Sequence, residues 1–533
     1  MSIKAWLKDH RTPLLAGAAL VAVEMLTAAM FWSGAPDGQH WLGNTLLFPN
    51  DTAVYLSYIE QGAQGGVRLQ NLYAVEPAAR RLDIFWSTLG LAARTGLPPI
   101  LILEIARWCM TIVLAFALFR LTKRFAADGR DRSFLTWLMV LGVGGGWLYT
   151  FWIYAVGGWT IGTRLAPDIA TEFSVFPALL SGPHIILSIA LLATALDSAW
   201  SAFGGKGYRT AVLSALATAP LASFHPYFIP VLAVFWCLAM FRWRKLGAKR
   251  LALTLGLLGC GMLPAAALYV PLYFDQTFRT HHLDVNRLPL APWLSWIFTL
   301  APFAAAFAWR WRRKDRLRQE EHWLVAWLVA AAICVCLPFP WKRKFTEGVS
   351  LALILLTAPF WMGLRDRMAG TSPAWVKGLM VGILAFGLGF GSFQLLTSSF
   401  AWSHDPARAA WLYRPTALFD AWSSIKGSSG RDSILVADDF WTNSFTPAYT
   451  GRRVIVGNDH ETPDFGRKAD EWRLRLIGGG PDEALRYLAE NSITHLILSK
   501  TGMQEKLSAG LEEAGWRKTF DRNPVMVWTA PGS

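Results

Sequence analysis

The chain has 533 residues, of which 53% are hydrophobic and only 17% charged, with Trp 28 and Phe 32; an ordinary globular chain carries about 25% charged residues. That composition excludes a cytosolic enzyme, a disordered tail and a secreted disulfide scaffold. The formal net charge of +14 is spread over short loops between apolar runs, not gathered on one soluble face, so membrane lipids are the expected partner and nucleic acid is not. The predicted class is a polytopic α-helical membrane protein with about 11 membrane segments and a C-terminal extracytoplasmic α/β domain.

A spanning helix needs about 20 apolar residues. Eleven apolar segments are read at 14–32, 98–119, 133–155, 175–199, 210–224, 227–241, 251–273, 293–309, 323–337, 348–363 and 378–399. The first follows Lys4, Lys8 and Arg11 but is too long for a signal-peptide core and lacks a cleavage site, so it reads as an anchor. Cys109, Cys237, Cys260, Cys334 and Cys336 fall within the runs and read as buried small apolar residues. With the N-terminus inside, the inside loops carry 24 Lys and Arg and the outside loops before residue 400 carry 10. This asymmetry places the protein in the cytoplasmic (inner) membrane, multi-pass, with the C-terminal domain outside.

Segments 210–224 and 227–241 are short and meet at Phe224-His225-Pro226-Tyr227, with basic residues at both far ends. They read as a hairpin with a Pro-containing tip, a break that lipid tolerates only where neighbouring protein or a wet cavity satisfies the backbone. A single kinked span is the alternative, and the basic flanks disfavour it. The chain is accordingly divided into a transmembrane domain at 1–399, with a large first outside loop at 33–97, and an extracytoplasmic α/β domain at 400–533. The loop contains a helix entered through Pro49 and a second, interfacial helix at 82–91. In the C-terminal domain, strand-like runs at Ile434-Leu-Val-Ala, Val454-Ile-Val and Leu496-Ile-Leu alternate with a helix from Pro481, the pattern of a partly parallel sheet. Val436-Ala-Asp-Asp439 and Gly457-Asn-Asp-His460 follow strand-like runs; metal or nucleotide sites are one reading, and turns the favoured one. The domain is expected to cap the membrane cavity and help bind an acceptor.

Polar residues in the spans are costly and worth separate attention. Glu104 and Arg107, one helical turn apart, read as a self-neutralising pair. Glu24 has no evident partner in sequence. His184 and His225 lack metal-ligand spacing and read as packing or hydrogen-bonding groups. Asp51 stands at the start of the outside helix with Tyr55 and Tyr58 on its face and Glu60 on the opposite one; it serves as a cap, a catalytic or binding acid, or both. Lys342, Arg343 and Lys344 lie on the outside face, against the positive-inside trend. They suit a phosphate at the membrane surface or, alternatively, anionic lipid headgroups. There is no GxxxxGK[ST], HExxH, GxSxG or strand-linked GxGxxG. Gly142-Val-Gly-Gly-Gly-Trp147 lies within a span and reads as close helix packing.

The order of anchor helix, long acid-bearing outside loop, Pro-broken short pair and outside C-terminal domain resembles the GT-C superfamily of membrane glycosyltransferases. The residues that carry the resemblance are Asn50-Asp51-Thr-Ala-Val-Tyr55 and His225-Pro226. What it implies is an inverting transferase that uses a polyprenyl-phosphate-linked sugar donor and an acceptor hydroxyl on a glycan, lipid or protein. Asp51 is the implied catalytic base, and Tyr55, Tyr58, His225, Arg287, Lys342, Arg343 and Lys344 the implied substrate contacts. No metal and no cofactor are expected. The alternatives are a transporter or flippase for a lipid-linked glycan or small solute, against which stands the lack of an inverted repeat, and a non-catalytic scaffold.

Overall fold

A computed structural model describes residues 10–44, 49–75, 81–157, 173–242, 247–274, 290–339, 341–370, 373–384, 388–405 and 409–532. The chain divides into two compact units. The first comprises Met1–Thr27, Ile105–Tyr269 and Arg287–Ser398, the second Ala28–Glu104, Val270–Asn286 and Ser399–Ser533. Residues 33–97 therefore belong to the same unit as the C-terminal residues.

Every apolar segment read from the sequence falls on helix, but the lengths differ from the expectation. Among the described residues, four helices are long and apolar enough to cross a membrane: Arg11–Ser33, Pro99–Thr122, Pro183–Phe203 and Ala248–Val270. A fifth span results if the pair Lys342–Leu356 and Ala358–Ala369, bent by 55°, counts as one. Segment 133–155 is split into Gly129–Leu141 and Trp147–Gly157, because the intervening glycine run is poor helix former and Gly144 adopts φ 107°. Segment 175–199 is likewise divided, into Val175–Leu179 and Pro183–Phe203. The cysteines also depart from the expectation. Cys334 is buried, whereas Cys109, Cys237, Cys260 and Cys336 lie on exposed faces of their helices. Apolar composition places a residue on a membrane helix without choosing between its protein-facing and lipid-facing sides.

In the first unit, the helices Pro183–Phe203, Tyr208–Phe224 and Phe228–Arg242 fix the geometry of the Pro-broken pair. The rings of His184 and His225 are 6.0 Å apart at one end, and those of Trp200 and Phe235 are 6.1 Å apart further along. Phe235 lies about 15 Å along its helix from His225 at about 1.5 Å per residue. A straight continuation would carry it away from Trp200; the contact requires the third helix to fold back beside the first. The pair is a hairpin. Helix ends in this unit are tied by ion pairs, Arg124 Nε to Asp197 Oδ1 at 2.7 Å and Arg365 Nη2 to Asp131 Oδ1 at 2.6 Å. Glu24 meets a neighbouring helix, where the Thr111 hydroxyl donates to its Oε1 at 2.6 Å.

The second unit is built on a five-stranded sheet: β1 (Ile434–Ala437), β2 (Arg453–Val454), β3 (His495–Leu498), β4 (Arg517–Arg522) and β5 (Val525–Thr529). The order is β2-β1-β3-β5-β4, with β1 parallel to both β2 and β3 and the last two strands antiparallel. The period-two alternation of a strand sorts its side chains into two cores. Leu435, Ala437, Ile497 and Val527 face one, together with Val54, Leu56, Tyr58, Ile59 and Trp86 of the first loop. Val436, Leu496, Leu498 and Trp528 face the other, under the helices Pro481–Glu490 and Thr501–Glu513. The loop helices are thus one cover of the sheet.

Candidate functional site

The helix Pro49–Ala63 begins with Pro, whose fixed φ suits a first helical position. Asp51 is therefore inside the first turn and not the residue before it, and a half-buried carboxylate there lies at the positive end of the helix dipole. Asn50 is not a cap either. Its Nδ2 donates to Asp459 Oδ1 at 2.9 Å, and its carbonyl accepts from Asn458 Nδ2 at 3.0 Å. The turn after β2 thus grips the helix start next to Asp51. Tyr55 is half-buried and stacked on Trp86, with centroids 4.7 Å apart, and Tyr58 is buried against the same ring at 6.4 Å.

Trp86 comes from the helix Ile84–Ala93, whose start is capped by Asp83 accepting from Trp86 N. The two helices cross through Gly62 and Gly90. A Cβ on Gly62 would lie 2.6 Å from Gly90 Cα, and one on Gly90 would lie 2.4 Å from Gly62 Cα. Glu60, on the far side of the helix from Asp51 as its spacing predicts, is buried and pairs with Lys426 Nζ at 2.6 Å. It is committed to structure.

The strand-end acids of this unit make turns and caps. Asp438 is fully buried and accepts from Ser499 N, Ser499 Oγ and Lys500 N at 2.7–3.0 Å; burial nonetheless pushes its carboxyl above the usual range. Asp439 caps the helix Phe440–Thr450 through Thr442 N and pairs with Arg414 at 2.7 Å. Asn458 Oδ1 accepts from the backbone of His460 and Glu461, the side-chain turn typical of Asn. Among the described residues no group of three or more His, Cys, Asp or Glu is placed to hold a metal.

The cationic stretch belongs to the first unit. Lys342–Thr346 forms a single 3₁₀ turn in which Lys342, Arg343 and Lys344 are half-buried and Phe345 and Thr346 buried. Lys344 Nζ lies 5.9 Å from the Tyr227 ring centroid, within range of a cation–π contact. His225 is buried, with Nε2 3.1 Å from Oε2 of Glu347. Glu347 is fully buried and also accepts from the Ser188 hydroxyl. The structure therefore brings His225 next to the cationic turn, 117 positions away in sequence, through Glu347, which the sequence reading passed over. The available signal was a single acid shortly after the three cations, at the start of an apolar segment. Arg287 lies outside the described residues.

No family model matches the chain, and no curated protein is similar to it. Solved structures do match along the whole chain. ArnT from Cupriavidus metallidurans bound to undecaprenyl phosphate is similar at 12% identity and a TM-score of 0.52, over 97% of this chain and 99% of that one. The same protein in the apo state is similar at 12% identity and a TM-score of 0.50, over 96% and 98%. The Archaeoglobus fulgidus oligosaccharyltransferase, tethered with an acceptor peptide, is similar at 12% identity and a TM-score of 0.49, over 92% and 69%. The fold is GT-C-like. Together with the long apolar helices, it makes this a membrane protein.

Proposed function

We propose that the chain is a membrane glycosyltransferase that moves a sugar from a polyprenyl-phosphate-linked donor to an acceptor hydroxyl. The observation that carries the reading is the fold match over nearly the whole length of ArnT, described with undecaprenyl phosphate bound. In the proposed reaction the acceptor oxygen forms a bond to the anomeric carbon from the face opposite the phosphate. The bond from that carbon to the phosphate oxygen breaks with its electron pair, giving inversion. The acceptor proton passes to Asp51. The positive end of a helix dipole favours an anion in the first turn, and the anion is the form of a carboxyl that accepts a proton.

Lys342, Arg343 and Lys344 are assigned to the phosphate, whose charge grows as the bond breaks. Arg343 contributes a bidentate fork, and the lysines contribute point charges. Arg287 completes the proposed donor contacts, His225 stands on the donor side next to the cationic turn, and Tyr55 and Tyr58 set the wall beside the base. The reaction is placed on the outer face of the cytoplasmic membrane, with the N-terminus inside and residues 400–533 outside as an acceptor-binding domain.

Purified protein in nanodiscs, given a polyprenyl-phosphate sugar and a candidate acceptor, should release polyprenyl phosphate in step with sugar transfer. Failure to bind undecaprenyl phosphate at all would overturn the reading. A C-terminal reporter active in the cytoplasm would overturn the orientation.

A further inference from the structure

The buried polar group around Glu347 draws on three separate stretches of chain, and the mechanism above uses only one of its members. A carboxylate with no solvent access is expensive unless charge and hydrogen bonds meet it. The neighbours of Glu347 are the Ser188 hydroxyl, which donates to one oxygen, and the His225 imidazole, whose Nε2 lies 3.1 Å from the other. Glu347 ends the cationic turn, its N–H donating to the Lys344 carbonyl at 3.3 Å. Gly348 follows at φ 71°, where an added Cβ would press on Trp327 at 3.1 Å, so the chain leaves the turn in one direction only.

The start of the turn is held from the same place. Trp341 meets the Tyr227 ring edge-on at 5.4 Å, and Lys344 lies over that ring. Tyr227 and His225 flank Pro226 at the hairpin tip, and His225 N closes the preceding helix on the Leu221 carbonyl at 2.8 Å. Two residues of one rigid tip thus grip the two ends of a five-residue turn.

We propose that Glu347, His225 and Ser188 form a latch that positions the Lys342–Lys344 turn for an anionic phosphate ligand, His225 acting through Glu347 and not by touching the ligand. The inference rests on the proposed donor site for its ligand, but not for its geometry. His225 and Glu347 are then positioning residues.

Two measurements on the full chain in nanodiscs separate the ideas. The first is reactivity of the Lys342 and Lys344 amines toward an acetylating reagent, read by mass spectrometry. Glu347→Ala and His225→Ala should each raise it about threefold or more, whether or not the protein binds a lipid phosphate. Unchanged reactivity in both folded variants overturns the latch.

The second measurement is affinity for undecaprenyl phosphate in a double-mutant cycle. Each single variant should weaken binding about tenfold, and the double variant should be no weaker than either. Losses that multiply would mean that His225 touches the ligand itself and would overturn its assignment. Glu347→Gln, which keeps volume and hydrogen-bonding atoms, should restore most of the affinity lost in Glu347→Ala; equal loss in both overturns the positioning role. If Glu347→Ala does not fold, Ser188→Ala takes its place in the cycle against His225→Ala, with the same rule. Raised amine reactivity without any lipid-phosphate binding by the unaltered protein would leave the latch standing and remove the transferase reading.

Discussion

Two carboxylates, one in each compact unit, show how differently a chain can use the same chemical group. Glu347 is fully buried, with the Ser188 hydroxyl donating to one oxygen and His225 Nε2 3.1 Å from the other. Asp51 is half-buried in a first helical turn, and the hydrogen bonds around it hold its neighbour Asn50. The first carboxylate is consumed by its partners and fixes backbone. The second sits in a helix start that its neighbours hold, and the proposed reaction gives it the substrate proton. Burial, more than residue type, separates a positioning acid from a reacting one.

The largest expected effect breaks that comparison at Asp51. Asp51→Asn should lower turnover by about two to four orders of magnitude, the range for loss of a general base, with donor affinity little changed. Steady-state transfer measured beside donor binding decides it. Unchanged transfer would remove Asp51 as the base.

Arg343→Gln should instead weaken both donor binding and turnover, each by about 10- to 100-fold, the loss of a charge-assisted contact worth roughly 1.5–3 kcal/mol. Lys342→Gln and Lys344→Gln should show smaller losses of the same kind. A turnover defect without a binding defect would detach the turn from the donor.

Sharpening the comparison on the side of Asp51 needs a variant away from the acid. Gly62→Leu forces the crossing with Gly90 apart, since even a Cβ lies 2.6 Å from the opposite backbone. It should destabilise the protein by about 1–3 kcal/mol and lower turnover through displacement of the Asp51 helix. Chemical denaturation and transfer assays read the two effects. A normal midpoint with normal turnover would show that the crossing does not position the acid.

The smallest effect is one of pH. His495, buried in β3 near Arg452, has its imidazole pushed below the ordinary range, by burial first and then by the cation. Its folded pKa is depressed, so between that value and about 6.5 the unfolded chain binds more protons and stability falls with falling pH. His495→Gln should flatten the stability slope over that window. An unaltered slope would assign the acid sensitivity elsewhere.

Much of the fold was legible in the sequence because it follows from local patterns. Apolar runs marked the long helices described in the first unit, and the alternation around Ile434, Val454 and Leu496 marked three of five strands in parallel register. Arg517–Arg522 was missed because its pattern is that of a charged, exposed edge strand. Asp51, Tyr55, Tyr58 and the cationic stretch were legible as residue types in unusual places. Glu347 was not, since one acid beside three cations reads as their local counterion. What made it distinctive was its contact with His225.

Composition and periodicity by themselves determined that this chain enters a membrane, which long segments are helical, and that an α/β sheet follows. Those properties depend on neighbours within about two helical turns or on side-chain transfer into lipid, and both are written locally. Tertiary structure alone decided that the first loop covers the C-terminal sheet, that the Pro-broken pair folds back as a hairpin, and that Glu347 faces His225. Each of these joins residues far apart in the chain, and the energy that selects it comes from burying particular surfaces and polar groups against one another. A one-dimensional pattern carries the demand for a partner but not the partner's address.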